Sequence, residues 1–158
     1  MNSTAPALTA VPLAAWERDA FAIALSKAGL PTDDVRDKGP MFWRYNNAED
    51  IPAGFGGMEV YGDLALLRSI VVLPVVRQHG FGDAIVAALE DEARTKGCTA
   101  VWLLTTTARR YFERLGYVVR APETIPAAIK SSRQFKLCDG AQAMSKSIEP
   151  PALPSEQN

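Results

Sequence analysis

Only two of the 158 residues are cysteine, Cys98 and Cys138, and only one is histidine, His79. Two cysteines are too few for a disulfide framework, and neither has a partner at metal-ligand spacing. One histidine leaves no His-based zinc cluster, and a Ser-His-Asp triad only if His79 itself serves. No metal is expected. Excess charge is also lacking: the formal net charge is −1, and no block of like charge occurs. That argues against a nucleic-acid or anionic-membrane partner. No apolar run reaches the ~18 residues that a membrane span needs. The opening MNSTAPALTAVPLAAW lacks the basic start and unbroken apolar stretch of a signal peptide. Together these absences lead to the expectation of a soluble, reduced, cytoplasmic protein.

What is present suits one domain with a sizeable core, since 47% of the residues are hydrophobic. Residues 1–10 are small and polar, and 149–158 are polar and Pro-rich. Both are expected to be disordered tails around a domain spanning 11–148. WERDAFAIALSKAGLP reads as an amphipathic helix with Trp16, Ala20, Ile23 and Ala24 on its apolar row, closed by Gly29 and Pro31. MFWRYNN reads as a strand. IPAGFGGMEVYGDLALLRSIVVLP gives two strands around a Gly62-Asp63 turn. A helix is predicted over 80–96, with Phe81, Ile85, Leu89 and Ala93 on one i+4 row and a Lys96-Gly97 stop. TAVWLLTT is a continuously apolar strand of the kind buried on both faces. ARRYFERLG is a short helix, and one or two further strands are expected around IPAAIKSSRQF. This order predicts an α/β fold: a mixed, mostly antiparallel sheet of about six to seven strands with helices on both faces.

The stretch RQHGFGDAI carries the first functional signal. Pro74 ends a strand, since it cannot continue a ladder, and the chain turns through Gly80 and Gly82 into a helix. Strand, glycine loop and helix N-terminus together make an anion site, because several N–H groups point one way and the helix dipole favours negative charge. Arg77 adds a charged donor. The third glycine of a dinucleotide fingerprint is replaced by Ile85, and the Lys of a Walker loop by Asp83, so both of those motifs fail. Taken alone, the two glycines equally suit a tight strand-to-helix turn.

The whole span VLPVVRQHGFGDAIVAALEDEARTKG resembles motif A of the GNAT acetyltransferase superfamily. FERLGY resembles that superfamily's later motif, aromatic-x-basic-x-Gly-aromatic. MEVYGDLALLRSIVVLP, WLLTTTA and the late IPAAI and QFKLC are further similar to arsenic-resistance-operon N-acetyltransferases and to related amino-acid (glutamate) N-acetyltransferases. The resemblance spans residues 10–144. It implies a single-domain GNAT fold with acetyl-CoA as co-substrate. The pyrophosphate would be held by N–H groups of Gln78, His79, Gly80, Phe81, Gly82 and Asp83, with the Asp83 side chain expected to point away. The pantetheine arm would run along the backbone at Ile70 and Val72. Thr105 lies near where the family often has a CoA-contacting asparagine, and Phe112 and Arg114 fall on its CoA-side motif; Arg114 equally suits a solvated helix face. Family habit also admits a homodimer.

Acetyl transfer needs a proton taken from the amine, a polarised thioester carbonyl, and a proton or stabilisation for the departing thiolate. A Gly62-Asp63 turn pairs Tyr61 with Leu64, Glu59 with Leu66 and Gly57 with Arg68. Tyr61, Glu59 and Arg68 then share a face, with Glu59 diagonal to Arg68. Two readings stand side by side. One is a plain cross-strand ion pair. The other makes Glu59 the base, directly or through water, and Arg68 the partner of an acceptor carboxylate. An arginine inside LALLRSIVV needs an anion either way. Arg44 and Arg133 are further candidate carboxylate partners, although each also suits plain surface charge. Many GNAT enzymes carry a tyrosine acid at the position filled here by Phe112. Tyr111 is the nearest substitute, turned by roughly 100°; water in that role, or a thiolate that leaves unassisted, are the alternatives. One of Thr105, Thr106 and Thr107 is expected to cap the following helix. The functional expectation is transfer of acetyl from acetyl-CoA directly to the amine of a small glutamate-like acceptor, or of a phosphinic or arsinic analogue. The alternatives are a non-catalytic CoA-binding sensor, for which Phe112 speaks, and an acetyltransferase acting on protein amines.

Overall fold

The computed structural model describes residues 6–77, 79–138 and 140–149. Seven strands form one sheet: β1 (Thr9–Pro12), β2 (Met41–Asn46), β3 (Pro52–Tyr61), β4 (Leu64–Val72), β5 (Ala100–Thr105), β6 (Val118–Val119) and β7 (Gln142–Ser147), in the order β1-β2-β3-β4-β5-β7-β6. Every pairing is antiparallel except β4 with β5. The first strand opens at Thr9, inside the segment expected to be a tail. The rest of that expectation, over 1–5 and 150–158, lies outside the described residues.

Helices cover both faces. On one, α2 (Phe81–Thr95) and α3 (Arg109–Arg114) bury Ile85, Leu89, Ala93 and Phe112 against Met58, Leu67, Val101 and Met144. The i+4 row read from the sequence is the row that is buried. On the other face, α1 (Arg18–Lys27) packs Phe21 and Leu25 onto Phe42, Phe55 and Val71. Two short helices, α4 (Ala127–Lys130) and α5 (Arg133–Leu137), add Ile129 and Phe135 over Leu66 and Trp102. Among the described residues no helix is long and apolar enough to cross a membrane.

Two expectations fail here. The buried face of α1 is Phe21 and Leu25, whereas Trp16 is 83% exposed and Ile23 is 56% exposed. Both rows are apolar, and contact with Phe42 and Phe55 decides between them. Around IPAAIKSSRQF the chain forms α4 and α5 rather than strands. Pro126 precedes the first of these, and Ser132 caps the second by accepting from Phe135 N at 3.1 Å. These are helix starts.

The β3–β4 hairpin has the register read from the sequence: Tyr61 opposite Leu64, Glu59 opposite Leu66, Gly57 opposite Arg68, with Gly62 at φ 63° in the turn. Beyond Arg68 the register slips. Gly56 faces both Ser69 and Ile70, a bulge in β4, and Ser69 takes φ 58°. The extra residue flips the alternation, so Val71 joins Leu66 and Arg68 on the α1 side while Ile70 and Val72 turn to the α2 side. On its other edge β4 pairs with β5 only from Leu64 to Leu66. Past that point the two parallel strands part.

Candidate active site

The gap between β4 and β5 is a cavity of about 840 Å³. Its walls are the free edge of β4, including Ile70 and Val72, the end of β5 through Thr105, the glycine loop, Tyr111 and Phe112. Ala28–Pro31 and one side of α5 close it on the opposite face of the sheet.

The loop has the geometry of an anion seat. Pro74–Val76 form a 3₁₀ turn, Arg77 is extended, and Gly80 takes φ 81°, a left-handed conformation that suits glycine. From there α2 starts. Ala84 N is bonded to Gly80 O at 3.2 Å. The N–H groups of Phe81, Gly82 and Asp83, in the first turn before it, have no intrahelical acceptor. A side chain on Gly82 would put its Cβ 2.9 Å from the Tyr111 hydroxyl, so glycine lets the phenol approach without being displaced. Arg77 stands at the rim, its Nε donating to Val72 O at 3.3 Å. His79 is exposed, and Gln78 lies outside the described residues.

Tyr111 takes the place that its neighbour does not. Its hydroxyl donates to Asp83 Oδ1 at 2.7 Å, so Asp83 faces the cavity wall rather than pointing away from it. Burial, and then the Asp83 carboxylate, push the phenol above its ordinary pKa, which keeps it a proton donor. Phe112 is 9% exposed and packs edge-on between Tyr111 and Tyr117. Arg114 is exposed, lies over the Tyr111 ring at 5.7 Å and does not line the cavity. Thr105 Oγ1 accepts from Ala108 N at 2.9 Å, bracing the turn into α3 rather than capping its first turn.

The Glu59–Arg68 pair is real, and a third residue completes it. Arg68 is 3% exposed. Its Nη1 donates to Glu59 Oε2 at 2.7 Å, and both terminal nitrogens donate to Asp34. Burial opposes the arginine's charge, but the Asp34 and Glu59 bonds outweigh it and raise its pKa. Tyr61 donates its hydroxyl to the other oxygen of Glu59. Arg68 lines the main cavity, whereas Glu59, Asp34 and Tyr61 line a second cavity of about 330 Å³ behind it. Arg133 borders that second cavity and donates to Asp37 at 2.8 Å. Arg44 lines neither cavity. It sits two strands away on β2, bonded to Glu17 and to Asn46 Oδ1.

Thus the glycine loop, Ile70, Val72, Thr105, Tyr111, Phe112 and Arg68 meet in one cavity, Glu59 and Arg133 border the next, and Arg44 and Arg114 stand apart. Sequence reasoning missed Asp34, Ser69 and Gln134. Cys138, which also suits a small core residue, lies half-buried on the cavity wall. The demand of Arg68 for an anion was a signal for Asp34, and Ser132 was a signal for the helix that carries Gln134. Nothing in the sequence marks the left-handed Ser69.

Comparison with known proteins agrees with this geometry. The family described as "Acetyltransferase (GNAT) family" matches residues 8–117, well over half the chain. The Bacillus subtilis protein YyaT is 34% identical over 76 residues, 48% of this chain and 51% of that protein. The amino-acid acetyltransferase of Pseudomonas aeruginosa PAO1 is 32% identical over 87 residues, 55% of this chain and 19% of the enzyme. The chain therefore spans about half the length of the first relative and about a fifth of the second. N-acetylglutamate synthase from Neisseria gonorrhoeae, solved with coenzyme A and N-acetyl-glutamate, superposes with a TM-score of 0.74 at 12% identity, over 93% of this chain and 36% of that one. A GNAT acetyltransferase from Staphylococcus aureus Mu50 gives 0.70 at 13% identity, over 90% and 100%. At such identities the likeness is one of fold.

Proposed function

The chain belongs to the acetyltransferase (GNAT) family, and we propose that it moves the acetyl group of acetyl-CoA to the amine of a small amino-acid-like acceptor, with both bound at once. Glutamate is the leading class, with phosphinic or arsinic analogues beside it as the resemblance to arsenic-operon enzymes suggests. The observation that carries this reading is the single cavity in which an anion seat, a free strand edge and the Tyr111 hydroxyl meet. Acetyl-CoA would supply an activated acetyl thioester. The loop N–H groups from His79 to Asp83 and the positive end of the α2 dipole suit its pyrophosphate, and the edge of β4 at Ile70 and Val72 suits its amide-bearing arm.

In this reading Tyr111 delivers the proton that the departing thiolate needs. A tyrosine at this place answers the strongest argument for a non-catalytic sensor, the phenylalanine at position 112. Glu59 takes the proton from the amine, through water from the second cavity. Arg68 binds the acceptor's carboxylate only if Asp34 yields one of its bonds, so Asp34 competes with substrate for that guanidinium. The alternative of a purely structural Arg68 leaves Arg133, at the rim, to meet the acceptor. A reduced, cytoplasmic setting belongs to the same reading, supported by two free cysteines. So does a homodimer, supported by the exposed indole of Trp16.

The test is thiol release from acetyl-CoA against a panel of small amines, with glutamate and phosphinothricin-like compounds included. Release confined to acidic amino acids, and lost in Glu59→Gln, supports both the acceptor class and the base. Release with lysine-bearing peptides alone would sink the small-molecule reading.

A further inference from the structure

The wall of the main cavity contributed by α5 carries an unmatched group. Gln134 is 5% exposed, lines the cavity, and its Oε1 is fully buried with no hydrogen-bond partner among the described residues. Its backbone is fixed. Ser132 caps the helix and donates its own hydroxyl to Ile129 O at 2.6 Å, and Gln134 O accepts from Cys138 N at 3.0 Å. A buried amide oxygen left without a donor is unfavourable, and folded proteins rarely keep one that nothing satisfies. This one sits on the α5 side of the sheet opening, on the same cavity wall as Arg68, while the glycine loop and Tyr111 enter from the α2 side. An amide oxygen is acceptor-only, so its missing partner must bring an N–H or O–H.

We propose that the Gln134 amide, on binding, turns about its last side-chain torsion to present Oε1 to an N–H of the acceptor's amine, orienting it in the opening between β4 and β5, and that Gln134 is thereby an acceptor-binding residue that selects for amines. This deepens the acetyltransfer reading and rests on it. The guanidinium of Arg68 on the same wall would meet an anionic group of the acceptor. The two side chains would then read the two ends of an amino acid.

Gln134→Met keeps the length of the side chain and removes the oxygen. In the ligand-free protein the urea midpoint should stay level or rise, because an unmatched acceptor has been deleted; a clear fall would show that the amide is structural and overturn the proposal. In steady-state kinetics the amine's KM should rise by about tenfold, the equivalent of about 1.4 kcal/mol, while the KM for acetyl-CoA stays put. An unchanged amine KM, as a buried water on Oε1 would give, also overturns it. Thermal shifts of CoA-loaded protein with glutamate and with glutarate give a readout without turnover. The glutamate shift should shrink in Gln134→Met and any glutarate shift should not; loss that tracks glutarate would assign the amide to the carboxylate and sink the idea. Glutamate shifts that depend on Gln134, without thiol release, would leave this inference standing and remove acetyl transfer. Thiol release with an unmoved amine KM would do the reverse.

Discussion

One step along a helix turns a side chain by about 100°, and the neighbours Tyr111 and Phe112 show what that step does. Phe112 points into the core beside Tyr117, and Tyr111 crosses to Gly82 and Asp83. Tyr111→Phe should therefore lower kcat by about 10²-fold while acetyl-CoA binding, measured by calorimetry, changes little. An unchanged kcat would give the thiolate to water. Arg68 makes a second residue-scale prediction. Its side chain is fully buried between two carboxylates, so Arg68→Met leaves both uncompensated. That should cost about 3–5 kcal/mol of stability in urea denaturation. A loss well under that would mean that solvent reaches the carboxylates. The Glu59–Arg68 diagonal was legible from the sequence because a two-residue turn fixes register. Asp34 was not, because it arrives from a loop 34 positions earlier in the chain and no local rule links it to Arg68.

At the scale of elements, legibility followed the number of candidate faces. In α2 a single apolar row exists, and it is the buried row. In α1 two rows compete, and only the aromatic cluster of Phe21, Phe42 and Phe55 chooses between them. The segment around Pro126 was misread because Ile125, Ala127 and Ile129 alternate as a strand would and its capping serine was passed over. The strand β3 owes its place under α2 to small residues. A side chain on Gly54 would set its Cβ 2.2 Å from Val71 O and 2.7 Å from Ile85 Cδ1. Gly54→Ala must therefore push α2 and β4 apart, at a cost of about 1–3 kcal/mol. Thermal unfolding measures that cost directly, and a Tm equal to the parent's would refute the packing argument.

Across the whole molecule, all four tyrosines share one perturbation. Burial raises the phenol pKa of Tyr45, Tyr61, Tyr111 and Tyr117, and a carboxylate adds to it in each case: Glu92, Glu59, Asp83 and Glu90 respectively. In the unfolded chain these groups ionise near pH ~10. Their contribution to stability is thus complete below that pH and is lost progressively as pH rises from there through the raised folded-state values, because over that range the unfolded state sheds protons that the folded state keeps. Tyrosinate absorbance should appear together with loss of circular dichroism as pH is raised; its appearance in a folded protein would contradict the burial. The short β4–β5 seam has a consequence of another kind. If the sheet came apart there, it would bare two apolar strand edges, and exposed edges of that type recruit other chains into aggregates. Arg68 is the one charge in LALLRSIVV, and an arginine in an apolar strand is a known safeguard against such growth. A ligand lying along the same edge would add a second safeguard, so a ligand-starved preparation should be the one that precipitates on storage.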